Sequence, residues 1–168
     1  MDKARKWVVM IAAMAAGTGL TIGNSAEAQT AKGGPQSDIE RGRYMVLTGH
    51  CNNCHTEGYS GKQGNIPEKE WLLGNPVGFR VPTGTSYASN LRLTVQNFTE
   101  DQWLQYAKAS KFRAPMPWWS FRDTTDQDLR AIYKYIRHLG PAGKPVPEFV
   151  PPDKEPAPPY EIRQRVMK

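Results

Sequence analysis

The chain contains few of the residues that define several large structural classes. Only two of its 168 residues are cysteine and three are histidine. Two cysteines cannot complete a four-ligand zinc site by themselves or build a disulfide-rich scaffold. The mean hydropathy is −0.62, and the absence of a set of long apolar segments excludes a polytopic membrane protein. The length suits one domain with a tail and excludes an enzyme with a separate substrate domain.

The charge balance is basic, with 22 lysine and arginine residues against 16 aspartate and glutamate residues. A basic chain can bind nucleic acid through its phosphates, but no nucleic-acid-binding motif is present here. We therefore expect no nucleic-acid partner and interpret the positive charge as a surface for an acidic protein.

The first 28 residues have the pattern of a secretory signal peptide. Their start is net positive, an apolar run covers residues 7–16, and residues 26–28 read Ala-Glu-Ala, a small-x-small cleavage site. Cleavage after Ala28 would leave 140 residues with a charge of about +5 and no membrane span. This predicts a periplasmic protein, and an uncleaved membrane anchor is the alternative.

The rest of the sequence divides into three parts: a flexible segment over residues 29–36, a compact domain over 37–140 and a proline-rich tail over 141–168. The tail holds eight of the fourteen prolines, so it is expected to be extended. It would either lie on the domain surface, reach a partner or remain mobile. The first two alternatives depend on three residues, Phe149, Val150 and Tyr160.

Three helices are predicted inside the domain. The first opens on a capping box at Ser37 and ends at Gly49, and the second opens on a capping box at Thr99. The third opens at Thr125 and ends at Gly140. It carries the clearest amphipathic stripe in the chain, at Leu129, Ile132, Tyr133 and Ile136. Nearly fifty residues between the first two helices show no alternating strand pattern.

One motif in the sequence carries chemistry. Cys51-Asn52-Asn53-Cys54-His55 directly follows the first predicted helix. C-x-x-C-H is the attachment signature of c-type haem, in which both thiols bond to one porphyrin and the histidine ligates the iron. We therefore predict one covalent haem c held by Cys51 and Cys54, with His55 on the iron. The haem would also give the long irregular segment a core to pack around.

Other interpretations of the two cysteines are weaker. A thioredoxin-type pair follows a strand, whereas this pair follows a helix. A disulfide between Cys51 and Cys54 is compatible with export but leaves the loop-rich domain unexplained. A zinc site needs two more ligands, for which only His50 and His138 remain.

The order of the first helix, the pentapeptide and the closing helix resembles a monohaem class I cytochrome c over about residues 37–140. Residues 84–91 (GTSYASNL) and 116–121 (MPWWSF) resemble the cytochrome domains that serve bacterial alcohol and aldehyde dehydrogenases. In those domains a Thr-Pro-Asp turn commonly follows the asparagine–leucine pair, and residues 92–96 differ from it here. The resemblance implies an all-α, cytochrome c-like fold of three main helices and long loops around one haem c.

The resemblance also implies a methionine sulfur on the second axial position of the iron. Met45 lies on the helix that enters the haem motif, and Met167 lies at the end of the tail. Met116 lies 61 residues beyond His55 between two prolines, which stiffen its loop. We therefore predict His55 and Met116 as the axial ligands of the iron.

Several further residues are assigned less specific roles. Ligation by two histidines, through His50 or His138, is the alternative to Met116. Gly42 would permit a close crossing of the first and last helices, or would be an ordinary helix glycine. We expect hydrogen-bond donors for the haem propionates among Arg80, Tyr87, Asn90 and Trp103. We also expect Trp118 and Trp119 to shield the haem on its methionine side.

Two filled axial positions leave no open site for oxygen, and a methionine sulfur favours ferrous iron. The sequence thus predicts a one-electron carrier with no catalytic residue, which accepts electrons from an exported dehydrogenase and passes them to a downstream cytochrome or oxidase. A haem enzyme, a gas-binding sensor with a labile sixth ligand and a fixed cytochrome subunit of a dehydrogenase complex are the alternatives. A basic rim for an acidic partner is expected at Lys108, Lys111, Arg113 and Arg122.

Overall fold

A computed structural model describes residues 35–163, so the expected signal peptide and Met167 lie outside the described residues. Six α-helices are described there: α1 (Pro35–Thr48), α2 (Cys51–His55), α3 (Leu91–Thr94), α4 (Glu100–Ala109), α5 (Trp118–Asp123) and α6 (Asp126–Leu139). Single 3₁₀ turns lie at Glu68–Glu70 and Val95–Asn97. No helix in this part of the chain is long and apolar enough to cross a bilayer.

The helix ends follow local sequence signals. Thr99 caps α4 through a capping box with Gln102, and Thr125 caps α6 by accepting a hydrogen bond from the Asp128 backbone N–H, so both predicted starts are confirmed. Gly140 ends α6 with a φ of 72°, as predicted. The start of α1 differs, because Pro35 already belongs to the helix and Ser37 therefore lies inside its first turn.

The crossing of α1 and α6 forms the centre of the fold. A Cβ placed on Gly42 would lie 2.0 Å from the Ala131 carbonyl oxygen and 2.6 Å from the Tyr135 Cβ. The predicted close crossing at Gly42 is therefore confirmed, since only glycine lets the two backbones approach this closely. The buried apolar stripe of α6, centred on Leu129, Ile132 and Ile136, packs into the same core.

A small sheet was not predicted from the sequence. Its strands are β1 (Gly78–Val81), β2 (Gly84–Ser86) and β3 (Tyr160–Ile162), in the order β2-β1-β3. The β1–β2 pair is an antiparallel hairpin, whereas β3 comes from the proline-rich tail and pairs parallel to β1. The helices and loops of the expected cytochrome c-like fold are present, and the sheet is an addition to them.

The proline-rich tail lies against the domain. Val150 forms a bridge with Thr85, and the ring of Phe149 packs where a Cβ on Gly84 would lie, at 2.5 Å. Tyr160 begins β3 beside Gly78. The three apolar residues that the sequence indicated thus contact the domain surface, as the first alternative for the tail requires.

Candidate functional site

A tight turn places the cysteine–histidine motif at the end of α1. The Gly49 backbone N–H donates to the Met45 carbonyl at 2.8 Å, and His50 then turns the chain with a left-handed φ of 58°. The motif forms the short helix α2, so Cys51 and Cys54 stand three residues apart on one side of it. The two cysteines are not joined in a disulfide, so both sulfurs can form thioether bonds to a haem.

The His55 ring is buried and oriented by one hydrogen bond. Its side chain is 8% exposed, and Nδ1 lies 2.8 Å from the Ser89 carbonyl oxygen. A carbonyl can only accept, so Nδ1 carries the proton and Nε2 keeps its lone pair. Burial lowers the pKa of His55, which favours this neutral form. The ring therefore presents a ligand atom suited to a metal.

The two cysteine sulfurs have different surroundings, because charged groups lie near Cys54. Burial raises the pKa of the Cys51 thiol to about 11, so this group is uncharged at neutral pH. Burial also raises the pKa of Cys54, where the nearby charge of Arg163 acts to lower it and that of Glu161 to raise it. A raised pKa disfavours the thiolate form, which is the form in which cysteine ligates a metal. No cluster of three or more metal-ligating His, Cys, Asp or Glu residues occurs within residues 35–163.

The wall behind His55 is a hydrogen-bonded network. Thr56 Oγ1 donates to Asn52 Oδ1 at 2.7 Å and accepts from the Leu72 backbone N–H at 2.8 Å. The Gly74 backbone N–H donates to the His55 carbonyl at 2.8 Å. These bonds fix the main chain on both sides of the histidine.

Three buried polar atoms among residues 35–163 have no partner in the protein: Asn52 Nδ2, Thr85 Oγ1 and Ser86 Oγ. Buried donors normally find an acceptor. A haem carries two propionate carboxylates, and amide and hydroxyl groups such as these can donate hydrogen bonds to carboxylates. Together with the thiol pair and the His55 ring, they fit a covalently attached haem.

The Met116 loop lies between α4 and α5. The Met116 backbone N–H donates to the Arg113 carbonyl at 3.1 Å, and the Trp118 backbone N–H donates to the Met116 carbonyl at 3.0 Å. The Met116 side chain is half-buried, and Pro115 and Pro117 flank it. The loop is thus fixed at its backbone, and ligation of iron by Met116 stays a prediction. The alternative ligands His50 and His138 are both exposed.

The proposed propionate donors have different surroundings. Arg80 donates to the Lys154 carbonyl at 3.0 Å and pairs with Glu155 at 3.2 Å, so it binds the tail. Tyr87 lies half-buried just after β2. The Trp103 indole N–H donates to the Leu129 carbonyl at 3.3 Å, inside the aromatic core.

The Asn90 amide is used within the protein. Its Nδ2 group donates to the carbonyls of Ala142 and Lys144 at 2.8 and 3.2 Å. Its Oδ1 accepts from the Leu93 backbone N–H at 3.2 Å and so caps α3. A propionate bond from Asn90 would require one of these bonds to break.

The two adjacent tryptophans after Met116 begin α5. Trp118 is half-buried, whereas Trp119 is 45% exposed, and their rings meet edge to face at 5.9 Å. The proposed shielding of the methionine side by these rings stays a prediction, and the exposure of Trp119 leaves it available to a partner.

Two features of the site were missed from the sequence. Ser89 contributes a main-chain carbonyl, which any residue type could supply, so no sequence signal marks it. Arg163 lies in the tail and comes close to Cys54 only because β3 pairs with β1. A pairing between segments about 80 residues apart has no local pattern that predicts it.

Comparison with known proteins places most of the domain in one family. The family model described as Cytochrome c matches residues 39–140. The fructose dehydrogenase cytochrome subunit of Gluconobacter japonicus is 25% identical over 144 residues, covering 77% of this chain and 28% of that protein. The cytochrome c subunits of quinone alcohol dehydrogenases from Gluconacetobacter polyoxogenes and Komagataeibacter europaeus are each 28% identical over 148 residues, covering 80% of this chain and 27% of theirs. The chain thus spans about a quarter of the length of these relatives, and no solved structure matches it.

Proposed function

Since this chain belongs to the cytochrome c family and carries covalently bound haem c, we propose that it transfers one electron at a time between redox proteins. His55 and Met116 are the proposed axial ligands, and Cys51 and Cys54 the proposed thioether positions. When bound, the haem supplies an iron that alternates between the ferrous and ferric states. The chain's own residues hold both axial positions and exclude other ligands from them.

The orientation of His55 is the observation that carries this proposal. The bond from Nδ1 to the Ser89 carbonyl fixes the tautomer in which Nε2 is a ligand, and His55 directly follows two cysteines at the attachment spacing. A ring held in this way does not need to reorient when the charge on the iron changes, which suits electron transfer.

We propose that electron exchange occurs beside the Met116 loop, but on a smaller positive surface than the sequence predicts. Lys108 pairs with Asp126 at 3.1 Å, and Arg122 pairs with Asp123 at 2.7 Å. These pairs reduce the charge available to a partner.

Lys111 and Arg113 are exposed and have no ion pair among residues 35–163. Lys111 Nζ lies 6.0 Å from the centre of the Trp118 ring. The guanidinium carbon of Arg113 lies 4.3 Å from the centre of the Phe149 ring. Together with the exposed ring of Trp119, these two cations form what we call the cation–aromatic face. Its charge and its aromatic content fit an acidic protein surface.

The proposed electron donor is an exported dehydrogenase, and the proposed acceptor is a downstream cytochrome or oxidase in the periplasm. The signal-like pattern over residues 1–28 supports export. The names of the relatives, which are cytochrome subunits of fructose and alcohol dehydrogenases, support a dehydrogenase as the donor.

The same names support a second candidate, a fixed subunit of a dehydrogenase complex. A free carrier binds its partner through a small polar contact, which high salt weakens. Purification from its native host in low and high salt separates the two functions. Coelution with a dehydrogenase that survives high salt would identify a fixed subunit.

Carbon monoxide tests carrier function against gas binding. If both axial positions are filled by protein side chains, the ferrous protein should show no spectral change with carbon monoxide at neutral pH. Rapid and saturable binding would identify an open or labile sixth position and would overturn the carrier proposal.

A further inference from the structure

The residues that follow α6 run back over the loops that hold His55. The carbonyls of Ala142 and Lys144 accept hydrogen bonds from Asn90 Nδ2 at 2.8 and 3.2 Å. Val146 Cγ1 occupies the space where a Cβ on Gly74 would lie, at 2.6 Å. We call residues 141–146 the strap, and they lie beyond the residues that match the family model.

The strap is linked to the ring of His55 by the peptide unit between Ser89 and Asn90. Asn90 is 3% exposed, and its neighbour Ser89 provides the carbonyl that accepts from His55 Nδ1. The carbonyl of Ser89 and the Cα of Asn90 belong to the same planar peptide group. Fixing the side chain of Asn90 therefore restricts the direction in which the Ser89 carbonyl points.

The strap also acts on the main chain of His55. The Gly74 backbone N–H donates to the His55 carbonyl at 2.8 Å, and Val146 packs directly on Gly74. Both the ring and the backbone of the histidine are thus bonded to segments that the strap covers.

We propose that the strap sets the strength of the hydrogen bond between His55 and Ser89 by holding Asn90, which makes Asn90 a positioning residue for the axial histidine. This inference rests on the proposed function, in which His55 is an iron ligand. A strong bond to Nδ1–H makes the imidazole a better electron donor, which favours ferric iron and lowers the reduction potential. Loosening the strap should therefore raise the potential.

Two glycines provide a test, Gly143 within the strap and Gly140 directly before it at the end of α6. Gly143 and Gly140 have positive φ values of 76° and 72°, so alanine strains the backbone at either one. A Cβ on Gly143 would lie 2.9 Å from Asn90 Nδ2, whereas a Cβ on Gly140 would meet nothing within 4 Å. Only Gly143→Ala should disturb Asn90.

The readouts are the paramagnetically shifted ring-proton signals of His55 in the ferric holoprotein and the midpoint potential. Gly143→Ala should shift the His55 signals and raise the potential, and Gly140→Ala should leave both at their wild-type values. Equal signals and potentials in the two variants would overturn the inference about the strap and leave the proposed function intact. Absence of shifted histidine signals from the wild-type protein would overturn the assignment of His55 as a ligand, and the inference with it.

A second pair of variants tests the inference if Gly143→Ala does not fold. Asn90→Ser keeps a cap oxygen for α3 but removes both donors to the strap, and Thr99→Ala removes a cap from α4 instead. Both should lower stability, and only Asn90→Ser should raise the potential. If Asn90→Ser lost stability and left the potential unchanged, the strap would have a structural role only.

Discussion

At the scale of single residues, the site depends on main-chain groups as much as on side chains. The Ser89 carbonyl orients the His55 ring, and the Gly74 N–H holds the His55 carbonyl. The two cysteines and the histidine could be predicted from the sequence, because haem attachment needs these side chains at a specific spacing. It could not identify Ser89, whose side chain takes no part in the bond.

Gly42→Ala should be strongly destabilising, because the new methyl group would lie 2.0 Å from a backbone oxygen of Ala131 that cannot rotate away. Overpacking of this kind costs about 3 kcal/mol. Denaturant unfolding of the holoprotein would measure the loss of free energy. Gly61→Ala is the control, since the nearest atom to its Cβ is the Gly58 carbonyl oxygen at 3.7 Å. Equal unfolding midpoints for the two variants would contradict the close crossing.

At the scale of elements, α1 and α6 are joined by ion pairs as well as by close packing. Arg41 pairs with Asp128, and Lys134 pairs with Asp38, each at 2.7 Å. The hydrogen bond from Arg41 holds the pKa of Asp128 below its ordinary value of 3.8. Because the pKa is lowered by folding, the pair stabilises the protein above the unfolded-state pKa and loses that effect as pH falls through the folded-state value.

Asp128→Asn should therefore lower the free energy of unfolding at pH 7 by no more than about 1 kcal/mol, since Arg41 is half exposed. The difference from wild type should shrink below about pH 4 and vanish once Asp128 is protonated. Urea unfolding across this range would measure it. Asp153→Asn, at an exposed carboxylate of the tail, makes the same charge change without the pair. A loss that was constant with pH would show that the ion pair is not its cause.

The elements differ in how far the sequence predicts them. The two longest helices after the haem motif carry side-chain caps, and α6 carries a full apolar stripe, so local patterns were sufficient. The three strands have only three or four residues each. β1 and β2 form a local hairpin, but they are too short to show an alternating pattern. The pairing of β1 with β3 depends on a tail that folds back along β1, about 80 residues later in the chain.

At the scale of the whole molecule, the cation–aromatic face predicts where electrons enter and leave. Lys111→Glu should slow oxidation of the ferrous protein by the anion ferricyanide several-fold at low ionic strength, because the local charge changes by two units. Tris(phenanthroline)cobalt(III), a cation, should react faster with the variant. Stopped-flow rates would check both, and the differences should decrease at high salt.

The control for this charge reversal is Lys62→Glu, which makes the same change in total charge at an exposed lysine of the loop after α2. Its rates should stay near those of the wild-type protein. If both variants slowed the anionic oxidant equally, the net charge of the molecule would govern the reaction, and the cation–aromatic face would have no special role.

The identity of the second axial ligand is tested most directly by the visible spectrum of the ferric holoprotein. Methionine ligation gives a weak red charge-transfer band, and Met116→Leu should abolish it while Met45→Leu, a swap of the same size on α1, should retain it. The ferrous form of Met116→Leu should also bind carbon monoxide. A band that is absent from the wild-type protein, or that persists in Met116→Leu, would contradict the closed centre formed by His55 and Met116.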